Sequence, residues 1–379
     1  MIRKKVYSPI LFFVLMLFIG CNNHQIGDAN SYELYKNKGD TLLKKVQLDS
    51  AYFYYNLATE SCNDSKDENH TYALLQMATI QQHISDYYGS EETVTEALDH
   101  SKDTIYKPYL YNMLAVTYDK QRKYDDALLY YTKAFQTFKD SMAKAIALHN
   151  IGLIYREKGQ LNKAVQIFKP LLKNRHLKAN RFEIARVLDN LGYAQFKIND
   201  PAAYSNLSES LRLRDSLKDI IGSIPSYIHL SEFFLATDKA KAKMLAEKAL
   251  ALANTIKSPD DRLESLRWLA KSTDPSTAQK YASDYITLND SLSFARSSAK
   301  NQYFKIKHDF AKSKKAKEEA EFMTKKITVA LIVITLLLLI MIFLVRYVNR
   351  QKLRASVYNT ETRISKKSMT NWRMMFIRP

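Results

Sequence analysis

PYLYNMLAVTYDKQRKYDDALLYYTKAF, residues 108–135, carries two helical faces separated by a polar turn. Tyr111, Leu114, Ala115 and Tyr118 stand at relative positions 0, 3, 4 and 7, one side of a helix that turns every ~3.6 residues. Beyond the turn at 120–123, Ala127, Tyr131 and Ala134 again share a face. The same seven positions recur 37 residues later as Leu148, Ile151, Gly152, Tyr155, Ala164, Phe168 and Leu171. Small side chains at Ala115, Gly152, Ala127 and Ala164 let two helices of a hairpin approach closely. Tyr118 and Tyr155 have the bulk to fill the gap between hairpins. Composition agrees, because 8 Gly and 8 Pro in 379 residues suit helices joined by short turns better than a sheet. An apolar fraction of 46% supplies a sizeable core.

This spacing resembles the tetratricopeptide repeat, a helix–turn–helix unit of about 34 residues. Weaker copies flank the central pair. Upstream they fall at Gly39, Leu42, Ala51, Tyr55 and Ala58, and at Leu74, Met77, Ala78, Val94 and Ala97. Downstream they fall at Leu188, Leu191, Gly192 and Leu211, at Tyr227, Leu230, Phe234, Ala242, Ala246 and Ala249, and in degenerate form at Leu266, Leu269, Ala270, Ala278 and Ala282. The expected architecture is all-α: an array of about seven repeats over 31–292, best formed at 108–175, with atypical end repeats. The resemblance implies a superhelix whose concave wall comes from the first helix of each pair, binding a peptide or protein partner. Counted from the repeat frame, that wall presents Asn112, Val116 and Asp119, then His149, Leu153 and Arg156, then Asp189, Tyr193 and Phe196. The candidate partner-binding residues are therefore Asn112, Asp119, His149, Arg156, Asp189 and Tyr193, with a plain solvent-facing surface as the alternative. His149 is expected to be exposed.

Other chemistry finds little support. No Gly-rich phosphate loop or G-x-S-x-G elbow is present, and the eight histidines never pair with Cys or one another at metal-ligand spacing. The expectation is no enzyme activity, no metal and no cofactor. A formal charge of +18 could suggest nucleic acid. The Lys and Arg are spread along the chain and densest beside an apolar segment, however, so membrane flanks and solvated helix faces account for them. Two cysteines, Cys21 and Cys62, make no disulfide framework.

MIRKKVYSPILFFVLMLFIGCNN, residues 1–23, has a basic start, a short apolar run and a small residue before Cys21. That is the layout of an export signal over 1–21. Its LFIGC ending resembles the lipobox of bacterial lipoproteins, which implies lipidation at Cys21. Ordinary cleavage or an uncleaved anchor is the alternative. ITVALIVITLLLLIMIFLV, residues 327–345, is uncharged, and its 19 residues span about 28 Å as a helix, close to the hydrocarbon thickness of a bilayer. It is expected to cross the membrane once. Basic residues flank it on both sides, so orientation rests on the export signal: an array in the periplasm and a short tail in the cytoplasm.

From Leu292, the apolar positions Ala295, Ala299, Tyr303, Ile306 and Phe310 step by 3, 4, 4, 3 and 4. Residues 293–326 thus read as a helical stalk, suited either to pairing with a second copy or to capping the array. Past the span, Leu353, Val357, Thr360 and Ile364 continue the pattern over 346–367, so a homodimer through both segments is expected. Array, stalk, span and juxtamembrane helix together resemble the tetratricopeptide-repeat sensor histidine kinases of bacteria, and TETRISKK (360–367) resembles the approach to their phosphoaccepting histidine. Residues 368–379 then lose helical periodicity. Back-translated and read one base out of step, they allow His-Asp-Glu-Leu-Ala-Asn-Asp-Val-Tyr, with both Asp, the Leu and the Val forced by the genetic code. The expectation is a sensor half whose kinase core is lost to a frame change near Lys367–Ser368. A membrane scaffold without signalling, or a receptor wired to a DNA-binding output, are the alternatives.

Overall fold

The computed structural model describes residues 29–62, 68–100 and 105–375. The export segment with Cys21 and the final four residues lie outside them. Every regular element among the described residues is a helix. They run as α1 (Ala29–Lys44), α2 (Leu48–Glu60), α3 (Glu68–His83), α4 (Tyr87–His100), α5 (Lys107–Lys120), α6 (Tyr124–Thr137), α7 (Ser141–Glu157) and α8 (Leu161–Leu171). After these come α9 (Arg175–Lys178), α10 (Arg181–Lys197), α11 (Ala203–Leu217), α12 (Ile220–Phe234), α13 (Lys239–Thr255), α14 (Pro259–Ser272) and α15 (Pro275–Met375). The chain forms two compact units, one through Tyr303 and one from Phe304 onward.

In the first unit six hairpins stack, α1/α2 through α12/α13, with the single turn α9 inserted before α10. From α1 to α8 and from α10 to α14 each helix packs on its sequence neighbour, α8 packs on α10 across α9, and first helices also touch the next first helix, as α10 does α12 and α12 does α14. The small residues of the sequence pattern sit where chains come closest. A Cβ placed on Gly152 would stand 2.5 Å from the Phe168 ring, and one on Gly192 would stand 2.9 Å from both the Leu207 backbone nitrogen and its Cγ. Ala115, Ala127 and Ala164 are fully buried. Tyr118 and Tyr155 pack beside Ala127, Tyr131, Ile151 and Ile154, as the filler role requires. α9 lies in the longer linker before α10 and is fastened by Asn174, whose side-chain oxygen accepts from the backbone of His176 and Leu177 at 2.9 and 3.2 Å. Its Leu177 is fully buried in the core of the neighbouring hairpins.

One regularity has no residue-type signature. The turn inside each of the first five hairpins passes through a left-handed residue: Val46, Ser85, Arg122, Gly159 and Asn199, with φ between 57° and 72°. In each, the next residue's N–H reaches back to a carbonyl five positions earlier. Examples are Gln47 to Leu42 at 2.9 Å and Lys123 to Tyr118 at 2.8 Å. This closure satisfies carbonyls left open at the helix end. Only Gly159 and Asn199 are residue types that take such a φ readily, so the other three are imposed by the packing of the hairpin.

The seventh unit departs from the repeat. α14 supplies buried Leu266, Trp268 and Leu269, but Ala282 of α15 is exposed. α15 therefore does not close a seventh hairpin as the sequence pattern suggested. The chain does turn at 273–274, but α15 does not pack along α14 as the two helices of the other hairpins pack on each other. The second unit, from Phe304, is one helical rod through Met375, including residues 368–375 where the sequence shows no periodicity. It contains one stretch long and apolar enough to cross a membrane, with mean hydropathy 3.3 and side chains fully outside any core. Within that stretch the Thr328 and Thr335 hydroxyls donate to the carbonyls of Thr324 and Leu331 at 2.9 and 3.0 Å, so neither donor is left open on an apolar surface.

Candidate functional site

The first helices of the later hairpins enclose an open cleft of about 590 Å³. α7 contributes Arg156 and Glu157, α10 contributes Tyr193 and Lys197, α12 contributes Ile228, His229 and Glu232, and α14 contributes Asp261, Glu264, Arg267 and Trp268. Tyr193 forms a central platform. The His229 ring stacks on it with centroids 4.1 Å apart, and the Arg156 guanidinium and Lys197 ammonium lie 5.4 and 5.2 Å from its centroid. The Tyr193 hydroxyl donates to Glu232 Oε2 at 2.9 Å, and Glu232 also pairs with Lys197. Burial, then the Glu232 charge, push the phenol's pKa up. Arg156 is held from both sides, donating to Asn190 at 2.6 Å and to Glu157 at 2.7 Å. On the α14 wall Trp268 donates its indole N–H to Glu264 at 2.9 Å, and Glu264 also pairs with Arg267. The cleft thus offers aromatic faces edged by balanced charges, with rotamers fixed by side-chain hydrogen bonds.

The six residues expected on the concave wall have different fates. Arg156 and Tyr193 line the cleft, as placed by the frame. Asn112 and Asp119 are half-buried on α5, outside the cleft. Burial pushes the Asp119 carboxyl up, against the pull of Lys120. His149 and Asp189 are only 1% and 2% exposed, which corrects the expectation of a surface histidine. Both occupy the position directly after the first signature residue, and there the next hairpin covers them, whereas Asn112 at the equivalent position stays half-buried. The His149 ring lies tilted against Phe168 with centroids 5.2 Å apart, and its Nε2 meets Asn190 Nδ2 at 3.2 Å. Asp189 accepts from Ser226 Oγ at 2.8 Å and lies 2.9 Å from His229 Nδ1. Burial alone would raise the Asp189 carboxyl. His229, with Arg214 and the Ser226 hydroxyl, outweighs it and holds the carboxyl below the usual carboxylate range. An ionised carboxylate only accepts, so Nδ1 of His229 donates and Nε2 remains as the ring's polar atom at the cleft wall.

Sequence reasoning missed His229, Glu232 and the α14 wall. Carrying the repeat frame one hairpin further, from Tyr227, places Ile228 and Glu232 at the positions equivalent to Asp189 and Tyr193. The signal for those two was available. His229 stands one position outside the frame's wall positions and is held at the cleft by its contact with Asp189 and its stacking on Tyr193.

Comparison with known proteins agrees with this geometry. Two segments, 109–140 and 145–173, match family models for the tetratricopeptide repeat. These segments are tetratricopeptide repeats. No curated protein matches the chain. Among solved structures, the apo form of RapI is 19% identical with a TM-score of 0.58, over 68% of this chain and 97% of its own. A Rap protein complexed with competence and sporulation factor is 17% identical with a TM-score of 0.52, over 76% and 83%. The Rap conjugation gene regulator of plasmid pLS20, in complex with the Phr* peptide, is 14% identical with a TM-score of 0.52, over 77% and 79%. At such identities the likeness is one of fold.

Buried His149 makes the array acid-sensitive. Burial, then the nearby Arg186 charge, push its pKa down from 6.5 to about 3. Below its ordinary value the unfolded chain takes up a proton that the folded chain refuses, so stability is full above that range and drains as pH falls. The slope from this one group reaches ~1.4 kcal/mol per pH unit. Urea denaturation of the detergent-solubilised chain at a series of mildly acidic pH values should show a slope shallower by that amount in His149→Gln than in the wild type. Equal slopes would place the proton uptake elsewhere.

Proposed function

We propose that the array binds an extended peptide or protein segment in the cleft bounded by Arg156, Tyr193, His229, Glu232 and Trp268. The observation that carries this reading is the Tyr193 platform, an aromatic face flanked by prefixed donors and acceptors. Rigid aromatic area is a low-entropy anchor for an apolar side chain, and the edging groups can hydrogen-bond a ligand backbone. The Rap relatives named above in complex with a factor or peptide share the fold and so support the reading. Charge balance in the cleft disfavours nucleic acid, whose binding needs an uncompensated basic track. The fold also supports a binding role over a catalytic one. A peptide display screen against the full chain in detergent should yield ligands whose affinity falls at least ~10-fold in Tyr193→Ala. Ligands unaffected by that change, and by Glu232→Ala, would move the site elsewhere.

The same proposal places the array outside the inner membrane, in the periplasm, with residues 327–345 as the single span and 346–367 as a cytoplasmic helix able to pair with a second copy. The export-type N-terminus, with Cys21 as its lipidation site, supports that orientation. Cysteines introduced at Ser313 and Ser365 read the topology: a membrane-impermeant maleimide on intact cells should label the first and spare the second. The reverse result would invert it.

The finer reading is the sensing half of a signal-transducing histidine kinase. It rests on the order array, span and TETRISKK, and on the histidine box legible one base out of step. Sequencing the gene past the codons for Lys367 and Ser368 tests it. An ATP-binding kinase domain in the shifted frame is expected. A helix-turn-helix frame would favour a receptor with DNA-binding output, and neither would favour an envelope scaffold.

A further inference from the structure

Residues 296–303 of α15 belong to the first unit and bind both ends of the array. Arg296 donates to Asp260 in the first turn of α14 at 2.6 Å. One turn on, Lys300 pairs with Asp86, the residue before α4, at 3.6 Å, and lies 5.6 Å from the Tyr88 ring. Gln302 donates to Asp49 in the first turn of α2 at 2.6 Å, across 253 residues of sequence. Tyr303 is 2% exposed and meets Tyr52 edge-on with centroids 5.2 Å apart. Burial and the adjacent Asp49 carboxylate push its phenol's pKa up. Of the stripe expected to pair with a second copy, Tyr303 is thus already spent on the chain's own first hairpin.

We propose that residues 296–303 form an intramolecular clasp that joins the last first-helix, α14, to the first two hairpins and couples the cleft wall to them. Stacked repeats touch only their neighbours, so their curvature is soft over several units. A strut that touches both ends removes that freedom. The clasp also shares a helix with the cleft: Asp260 holds Arg296, while the next residue, Asp261, lines the cleft. A displacement of α14 therefore pulls on Arg296, and through one helical turn on Lys300, Gln302 and Tyr303. A clasp made of one exposed ion pair, one ion pair to the buried Asp86 and one buried aromatic is weak enough to open and specific enough to re-form in one register. It stands on intramolecular contacts and does not depend on the peptide reading.

Hydrogen–deuterium exchange on the full chain in detergent micelles tests this with two opposed variants. Lys300→Glu sets like charges against Asp86 and should speed exchange at least ~10-fold in 296–303, in the first turn of α2 and in α14. Gln302→Arg adds a cation to Asp49 and should slow exchange in the same three segments. Circular dichroism should show unchanged helix content in both, and Arg296→Ala serves as a milder opening variant should Lys300→Glu misfold. Exchange that ignores both charge changes would overturn the clasp. Exchange that responds in 296–303 and α2 but not in α14 would overturn the coupling to the cleft.

Discussion

Two helices of a hairpin can share one narrow core only if a position on the first carries almost no side chain. That constraint acts at Ala115, Gly152 and Gly192. At Gly152 the Phe168 ring occupies the space a Cβ would need, and at Gly192 the obstacle is the backbone of Leu207 itself. Close approach brings the second helix's Ala127 and Ala164 into full burial and leaves a gap to the next hairpin that Tyr118 and Tyr155 are large enough to fill. The tyrosine richness of the chain follows from this geometry in large part. So does the closed turn: a hairpin this tight must reverse within a few residues, and the left-handed conformation at Val46, Ser85 and Arg122 is accepted despite residue types that resist it.

The cleft inherits its order from the same stacking. On α7 and α10 the inner position that falls beneath the following hairpin is consumed by packing. His149 and Asp189 are spent there. Tyr193 and Arg156, further along their helices, are half-buried and keep a face on the cleft. Asp189 then acts at one remove, keeping its charge in full burial by binding Ser226 and His229 and so setting the His229 ring against Tyr193. A buried carboxylate of this kind is costly unless every partner is present, and that cost orients a cleft residue.

Where the array ends, its rules end. The repeat frame predicts a seventh hairpin because Ala278 and Ala282 have the right spacing. α15 keeps Ala282 in solvent and instead commits Tyr303 to the first hairpin. Heptad-like spacing at Ala299, Tyr303 and Ile306 fits a partner helix or the chain's own array equally well. Spacing fixes which side of a helix is apolar and says nothing about what will cover it.

The sequence by itself determined the hairpin unit, its small and aromatic contact positions, and the apolar stretch 327–345, because each depends on residues within one turn or one hairpin of each other. Tyr193 and Arg156 were legible as cleft residues for the same reason. Tertiary structure alone decided the burial of His149 and Asp189, the place of His229 and Trp268 in the cleft, and the return of residues 296–303 to α2. Those depend on the superhelical path summed over six hairpins, and small rotations at each junction decide which distant helices meet. No local spacing encodes that sum.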